Sequence, residues 1–183
     1  LTEAAGYNRI TVQQYGGWWW YGALFHYDPA YRDRLMEGLR KAGVPEGAGT
    51  DIPFEKYRRL LHKTKQGYFE VTGATTIDTK RAKALHDRGV KFVDVRAAKG
   101  FAAGHTPGAF NLDVATELSR DSLSRIVGKD EEFVLSCHGK TCPDSAYASA
   151  KALLWGFKRV YYFAGGFPAW EEAGYPVEAS PTT

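Results

Sequence analysis

From Thr72 onward, short apolar runs alternate with helical stripes. Residues 75–77, 91–95, 109–112, 133–136 and 159–163 are β-rich runs of three to five residues and predict strands. Helical patterns fall between them. Asp78 is placed to cap a helix through His86 that closes at Gly89, residues 114–126 can be helical, 143–155 close at Gly156, and 167–173 close at Gly174. Strands separated by helices predict βαβ units around a parallel sheet covered on both faces, an α/β fold.

Residues 1–71 read differently and predict a mostly helical, aromatic-rich extension. Residues 7–27 keep neither a period of two nor of 3.6, and Gly16, Gly17 and Gly22 interrupt them, so they read as loop with one short strand. Asp28 and Pro29 form a helix start, and Tyr31, Leu35 and Leu39 give that helix one apolar stripe before Gly43 and Pro45 end it. A second helix is expected from Pro53 to Gly67, with Phe54, Tyr57, Leu60 and Leu61 on one face. Trp18, Trp19 and Trp20 lie among nine aromatics in the first 31 residues, and packing against the sheet domain is the expected use of them.

Composition narrows the class. The 183 residues are 44% hydrophobic and 25% charged, as in folded globular proteins, which excludes disorder as the main state. A net charge of +3 without a dense Lys/Arg stripe gives no footprint for nucleic acid. No run of 18 apolar residues exists, so no membrane-spanning helix is expected. The chain opens on Leu1, so a processed protein, a trimmed chain or a fragment is expected. No signal-peptide pattern is visible, which says nothing about compartment, and a soluble protein of the cytoplasm or the periplasm is expected, with the lean to the periplasm. The only two cysteines, Cys137 and Cys142, are too few for a disulfide framework and close enough together to suggest chemistry.

They sit in Phe133-Val134-Leu135-Ser136-Cys137-His138-Gly139-Lys140-Thr141-Cys142-Pro143-Asp144-Ser145. A strand ends at Cys137, a small-residue loop follows, and Pro143 opens a helix. Ligands of open α/β sheets bind at this place, beyond the carboxyl end of a strand. Backbone N–H groups and the positive helix end should depress the Cys137 pKa and favour the thiolate. The other reading of Cys137 is a small buried hydrophobe at a strand end. Cys142 reads as a helix cap ahead of Pro143, or as the partner in a Cys137–Cys142 disulfide. A zinc site from Cys137, His138 and Cys142 lacks a fourth ligand at a recognisable spacing, so no metal is expected.

Three further segments carry a family resemblance: Phe92-Val93-Asp94-Val95-Arg96, Gly104-His105-Thr106-Pro107-Gly108-Ala109-Phe110-Asn111, and Gly165-Gly166-Phe167-Pro168-Ala169-Trp170 through Gly174-Tyr175-Pro176. In this order around a cysteine loop, they make residues 72–179 resemble a rhodanese domain, with 72–183 as the domain and 1–71 as the extension. The resemblance implies a five-stranded parallel sheet with helices on both faces. It implies a thiolate, Cys137, that takes sulfane sulfur from a small anionic donor such as thiosulfate and passes it to a thiol or other thiophilic acceptor. The backbone of His138, Gly139, Lys140, Thr141 and Cys142 would cradle the anion, and no cofactor is expected. Many active members place a basic residue five positions after the cysteine, where this chain has Cys142. Related phosphatases place Arg six positions after, where it has Pro143. Lys140 is then the one loop cation.

The altered loop leaves rival expectations: a catalytically silent interaction module, or a thiol–disulfide role for Cys137 and Cys142. An inward Cys142 would release hydrosulfide from a Cys137 persulfide and require a thioredoxin-like reductant. His105 is expected to brace a turn. Asp94 and Arg96 are expected to ion-pair near the loop, where Arg96 could lend positive potential. Trp155 and Trp170 are expected in the core.

Overall fold

The run Phe133-Val134-Leu135 is inaccessible to solvent on both sides, as an interior strand of a covered sheet is. The computed structural model describes residues 56, 58–65 and 67–180. Among them, β3 (Thr75–Ile77), β4 (Lys91–Asp94), β5 (Phe110–Asn111), β6 (Glu132–Ser136) and β7 (Arg159–Phe163) form one sheet in the order β3-β7-β6-β4-β5. Every neighbouring pair is parallel, as the alternation of strands and helices predicts.

Side-chain alternation divides the sheet's two faces. Phe92, Val134 and Phe163 point to one side, where Ala82 and Leu85 of α1 (Thr79–Asp87) and Phe167 and Trp170 of α5 (Gly166–Glu172) cover them. Phe133, Leu135 and, at the end of the same strand, Cys137 therefore point to the other side. There α4 (Asp144–Leu154) lies on β6 and β7, and all its residues from Asp144 to Ala152 are buried. Trp155 and Trp170 are both core residues. Two short helices, α2 (Ala98–Ala103) and α3 (Arg120–Ile126), complete the described domain.

Helix starts follow local chemistry. The Asp78 side chain accepts from the Arg81 amide at 2.7 Å, an N-cap worth about 1 kcal/mol. The helix expected over 114–126 begins only at Arg120, because Ser119 and Ser122 form a reciprocal capping box there. The Asp113 carbonyl and carboxylate turn the preceding segment instead.

The helix expected from Pro53 to Gly67 is corrected. Leu61–Lys63 is strand β1, paired antiparallel with β2 (Phe69–Val71) across a turn at Gly67, whose φ is +87°. Phe69 and Val71 are buried while Glu70 is exposed, and the Phe69 ring lies 6.3 Å from that of Tyr147 on α4. Residues 61–71 thus join the sheet domain's second face. The expectations for the aromatics and helix before Pro53 lie outside the described residues. No helix of the described residues is long and apolar enough to cross a membrane.

Candidate functional site

Strand β6 carries Cys137 to the carboxyl edge of the sheet with no exposed surface. The chain then turns at Gly139, whose φ is +119°, and the Cys142 amide donates back to the Gly139 carbonyl at 3.0 Å. This tight turn folds Cys142 inward. Its Sγ lies 2.7 Å from Cys137 Sγ, well inside ordinary non-bonded contact and longer than the roughly 2.05 Å of a disulfide bond. Neither cysteine is in a disulfide. The outward helix cap expected of Cys142 is therefore corrected: Pro143 is the N-cap residue of α4, and no side chain caps it.

A buried carboxyl completes the cluster. Asp144, the first residue of α4, is 2% exposed. Its Oδ2 lies 2.8 Å from Cys142 Sγ and 3.4 Å from Cys137 Sγ. His138 Nδ1 lies 3.5 Å from Cys137 Sγ and 4.0 Å from Cys142 Sγ. Sequence reading passed over Asp144 because an acidic residue in a first helical turn usually just complements the helix dipole.

Charge is distributed unevenly over these groups. Burial first, then the hydrogen bond with Cys142 and the nearby carboxylate, push the Cys137 thiol up. This corrects the expectation that Cys137 holds a depressed pKa. The hydrogen bond from Cys137, with help from His138, Asp144 and the Asp144 backbone amide, lowers Cys142 to about 4. Burial and the Cys142 charge raise Asp144 to about 9. The cluster thus keeps one negative charge near neutral pH, moved from the carboxyl to the less buried sulfur, with the carboxyl proton between them.

Some loop positions differ from the expected cradle. The Cys142 amide is taken by Gly139, and the His138 and Asp144 amides serve Cys137 and Cys142 sulfur respectively. His138, Lys140 and Thr141 are exposed. Lys140 edges an open depression of about 700 Å³ that also reaches Tyr68, Asp78, Gly165 and Glu172 but neither sulfur.

Asp94, Arg96 and His105 make no hydrogen bond to the sulfurs and act as bracing residues. Arg96 forms a buried fork on Asp94, with its Nη2 2.7 Å from Asp94 Oδ2 and also donating to the Gly104 carbonyl at 2.7 Å. The guanidinium stacks over the Phe167 ring at 4.4 Å. His105 Nδ1 meets the Phe101 carbonyl at 2.8 Å, its ring stacks on Phe101, and its backbone pairs with Glu178.

The second wall of the site comes from α5. The Phe167 amide donates to the Cys137 carbonyl at 2.9 Å. A Cβ on Gly166 would stand 2.2 Å from that carbonyl oxygen and 2.7 Å from the Gly139 nitrogen, so this approach requires glycine.

Sulfur, nitrogen and oxygen atoms of Cys137, His138, Cys142 and Asp144 lie within 4.8 Å of one another, so Asp144 adds a fourth donor atom that spacing alone did not reveal. They are drawn together too tightly to fit an ion as they stand. Two thiolates on tetrahedral zinc sit about 3.8 Å apart, given Zn–S bonds of about 2.3 Å, against the 2.7 Å found.

Fold and site define an α/β protein with a cysteine loop at the carboxyl edge of a parallel sheet. The chain belongs to the family of the Rhodanese-like domain, whose profile matches residues 78–173. It is 33% identical over 105 residues to the thiosulfate sulfurtransferase GlpE of Pseudomonas fluorescens, covering 57% of this chain and 90% of that one. It is 28% identical over 131 residues to the mitochondrial protein HIGH ARSENIC CONTENT 1 of Arabidopsis thaliana, covering 67% and 75%. A solved protein of Bacillus halodurans shares the fold with a TM-score of 0.53 and 24% identity, over 58% of this chain and 78% of that one.

Proposed function

We propose that this protein is a sulfurtransferase that carries sulfane sulfur as a persulfide on Cys137. The observation that carries this reading is the position of Cys137 at the end of β6, at the mouth of α4, with a second thiol 2.7 Å from its sulfur. Similarity to a thiosulfate sulfurtransferase supports the reaction class. A small anion such as thiosulfate is the donor, drawn by Lys140, the cation of the loop. The pair exchanges its shared proton through the S–H···S contact, so the charge that rests on Cys142 becomes available at Cys137 as the donor reaches it. The acceptor is a thiol.

Cys142 occupies the place where many family members hold a cation, and its sulfur faces the carrier. It is the nearest acceptor thiol, and its attack on the Cys137 persulfide yields hydrosulfide and a Cys137–Cys142 disulfide. A thioredoxin-like dithiol would then restore the pair. The same 2.7 Å contact favours a second reading, a thiol–disulfide pair that carries no sulfane sulfur.

Intact mass separates the readings. A gain of one sulfur after thiosulfate treatment of Cys142→Ser, absent when Cys137 is also Ser, is expected for the carrier. Loss of two hydrogens from wild type on oxidation without any sulfur gain in Cys142→Ser would favour the thiol–disulfide pair. No change in either treatment would mark a silent interaction module.

A further inference from the structure

The buried carboxyl of Asp144 has no use in the scheme so far. Its side chain is 2% exposed and makes no ion pair with a Lys, Arg or His of the described residues; its near contacts are the two sulfurs. The groups that face it are the Cys142 and Cys137 thiols, the Asp113 carboxylate from the segment after β5, and, across the sulfurs, His138. A lone buried carboxylate is costly, and a carboxylate beside a thiolate and a second carboxylate more so.

Resting on the reading of Cys137 as sulfur carrier, we propose that Asp144 is a catalytic residue whose carboxyl delivers the proton with which hydrosulfide leaves the Cys137 persulfide. Once the proton that Cys142 took from Cys137 during loading has left to water, the Cys142 thiolate attacks Cys137 Sγ. The Cys137–Cys142 S–S bond forms, and the bond from Cys137 Sγ to the sulfane sulfur breaks with its electron pair on the departing sulfur. A persulfide anion would leave as S²⁻, a very poor leaving group, unless a proton reaches the terminal sulfur. Asp144 gives that proton, so the product is HS⁻ and the carboxyl becomes a carboxylate. The sulfane sulfur gains two electrons, and the two cysteines lose two as they become the disulfide. A dithiol reductant then returns two electrons and two protons, and the proton that reaches Cys142 passes to the Asp144 carboxylate, which restores the resting charge. The retention of the carboxyl proton up to about pH 9 fits this role across the neutral range.

The experiment loads the full chain with thiosulfate, counts the loaded fraction by intact mass, and follows hydrosulfide release per loaded molecule from pH 6 to 10. Wild type should release more slowly as pH rises through about 9. D144N should release at least tenfold more slowly at pH 7 and lose that profile, while D144E recovers most of the rate. Release from D144N at the wild-type rate and with the wild-type profile overturns the proposal. If D144N does not fold, a wild-type rate that stays flat from pH 6 to 10 overturns it. Failure of Cys142→Ser, which cannot discharge the persulfide, to gain sulfur instead overturns the carrier reading on which the proposal rests.

Discussion

Gly166→Ala tests how α5 holds the cysteine loop, and Gly156→Ala is its control. Both glycines have positive φ, +60° and +90°, so both variants place an L residue in the left-handed region, at about 1–2 kcal/mol. They differ in surroundings. A Cβ at Gly156 meets nothing within 4 Å, whereas at Gly166 it meets the Cys137 carbonyl oxygen at 2.2 Å and the Gly139 nitrogen at 2.7 Å. Ordinary C···O contact begins at about 3.3 Å, so loop and helix must part by roughly 1 Å. That separation breaks the Phe167 amide to Cys137 carbonyl bond and leaves a buried pair unsatisfied, at about 1–3 kcal/mol. Gly166→Ala should therefore cost about 2–5 kcal/mol, against about 1–2 for Gly156→Ala. For a chain of this length that is a melting-point drop of roughly 4–20 °C against roughly 2–8 °C. Gly166→Ala should also impair sulfur loading at Cys137, while the control does not. Equal melting shifts and equal loading in the two variants would refute the claim that α5 seats the loop through Gly166.

Strands β3 and β7 were legible to the residue, because Thr75-Thr76-Ile77 and Arg159 to Phe163 are unbroken β-rich runs next to a cap or a glycine. Helix α1 was legible for the same kind of reason, since the Asp78 cap acts locally. Hairpin β1–β2 was not. Leu60 and Leu61 continue the spacing of Phe54 and Tyr57 by coincidence, and the strand signal of Phe69-Glu70-Val71 is only three residues long. Helix α2 escaped notice because Ala98 to Ala103 contains a glycine, has no side-chain cap and buries no residue fully. At the site, strand–loop–helix order pointed to Cys137, but the direction of Cys142 depended on a turn at Gly139 that spacing cannot give. The role open to Asp144 depends on that same turn. It becomes visible only once both sulfurs stand over the first residue of α4.

Three further outcomes are expected. Tyr162 carries a buried hydroxyl with no hydrogen-bond partner among the described residues, so Tyr162→Phe should leave the melt unchanged or raise it by up to about 1 kcal/mol; a clear drop would reveal a partner. Arg96→Met strands the buried Asp94 charge and should destabilise by about 3–5 kcal/mol, with Asp94→Asn in the same chain recovering part of the loss; an unchanged urea midpoint would contradict the buried pair. The last outcome concerns pH. Cys142, lowered to about 4, gives stability that is present above its ordinary thiol range and is lost as pH falls through 4. Asp144, raised to about 9, gives stability that is complete below its ordinary 3.8 and is lost as pH rises through 9. Between these limits the folded pair keeps its proton on the carboxyl, the unfolded pair on the thiol, and the number of bound protons is the same. The two slopes cancel, and wild type gains or loses no stability from this pair between pH 5 and 8. Removing one partner should expose the other. Relative to wild type, Cys142→Ser should grow less stable as pH rises across that window, because burial still favours the protonated Asp144. Asp144→Asn should grow more stable, because the folded state then binds the fewer protons. Urea midpoints at pH 5, 6.5 and 8 read both slopes, and slopes of the same sign in the two variants would refute the shared-proton arrangement.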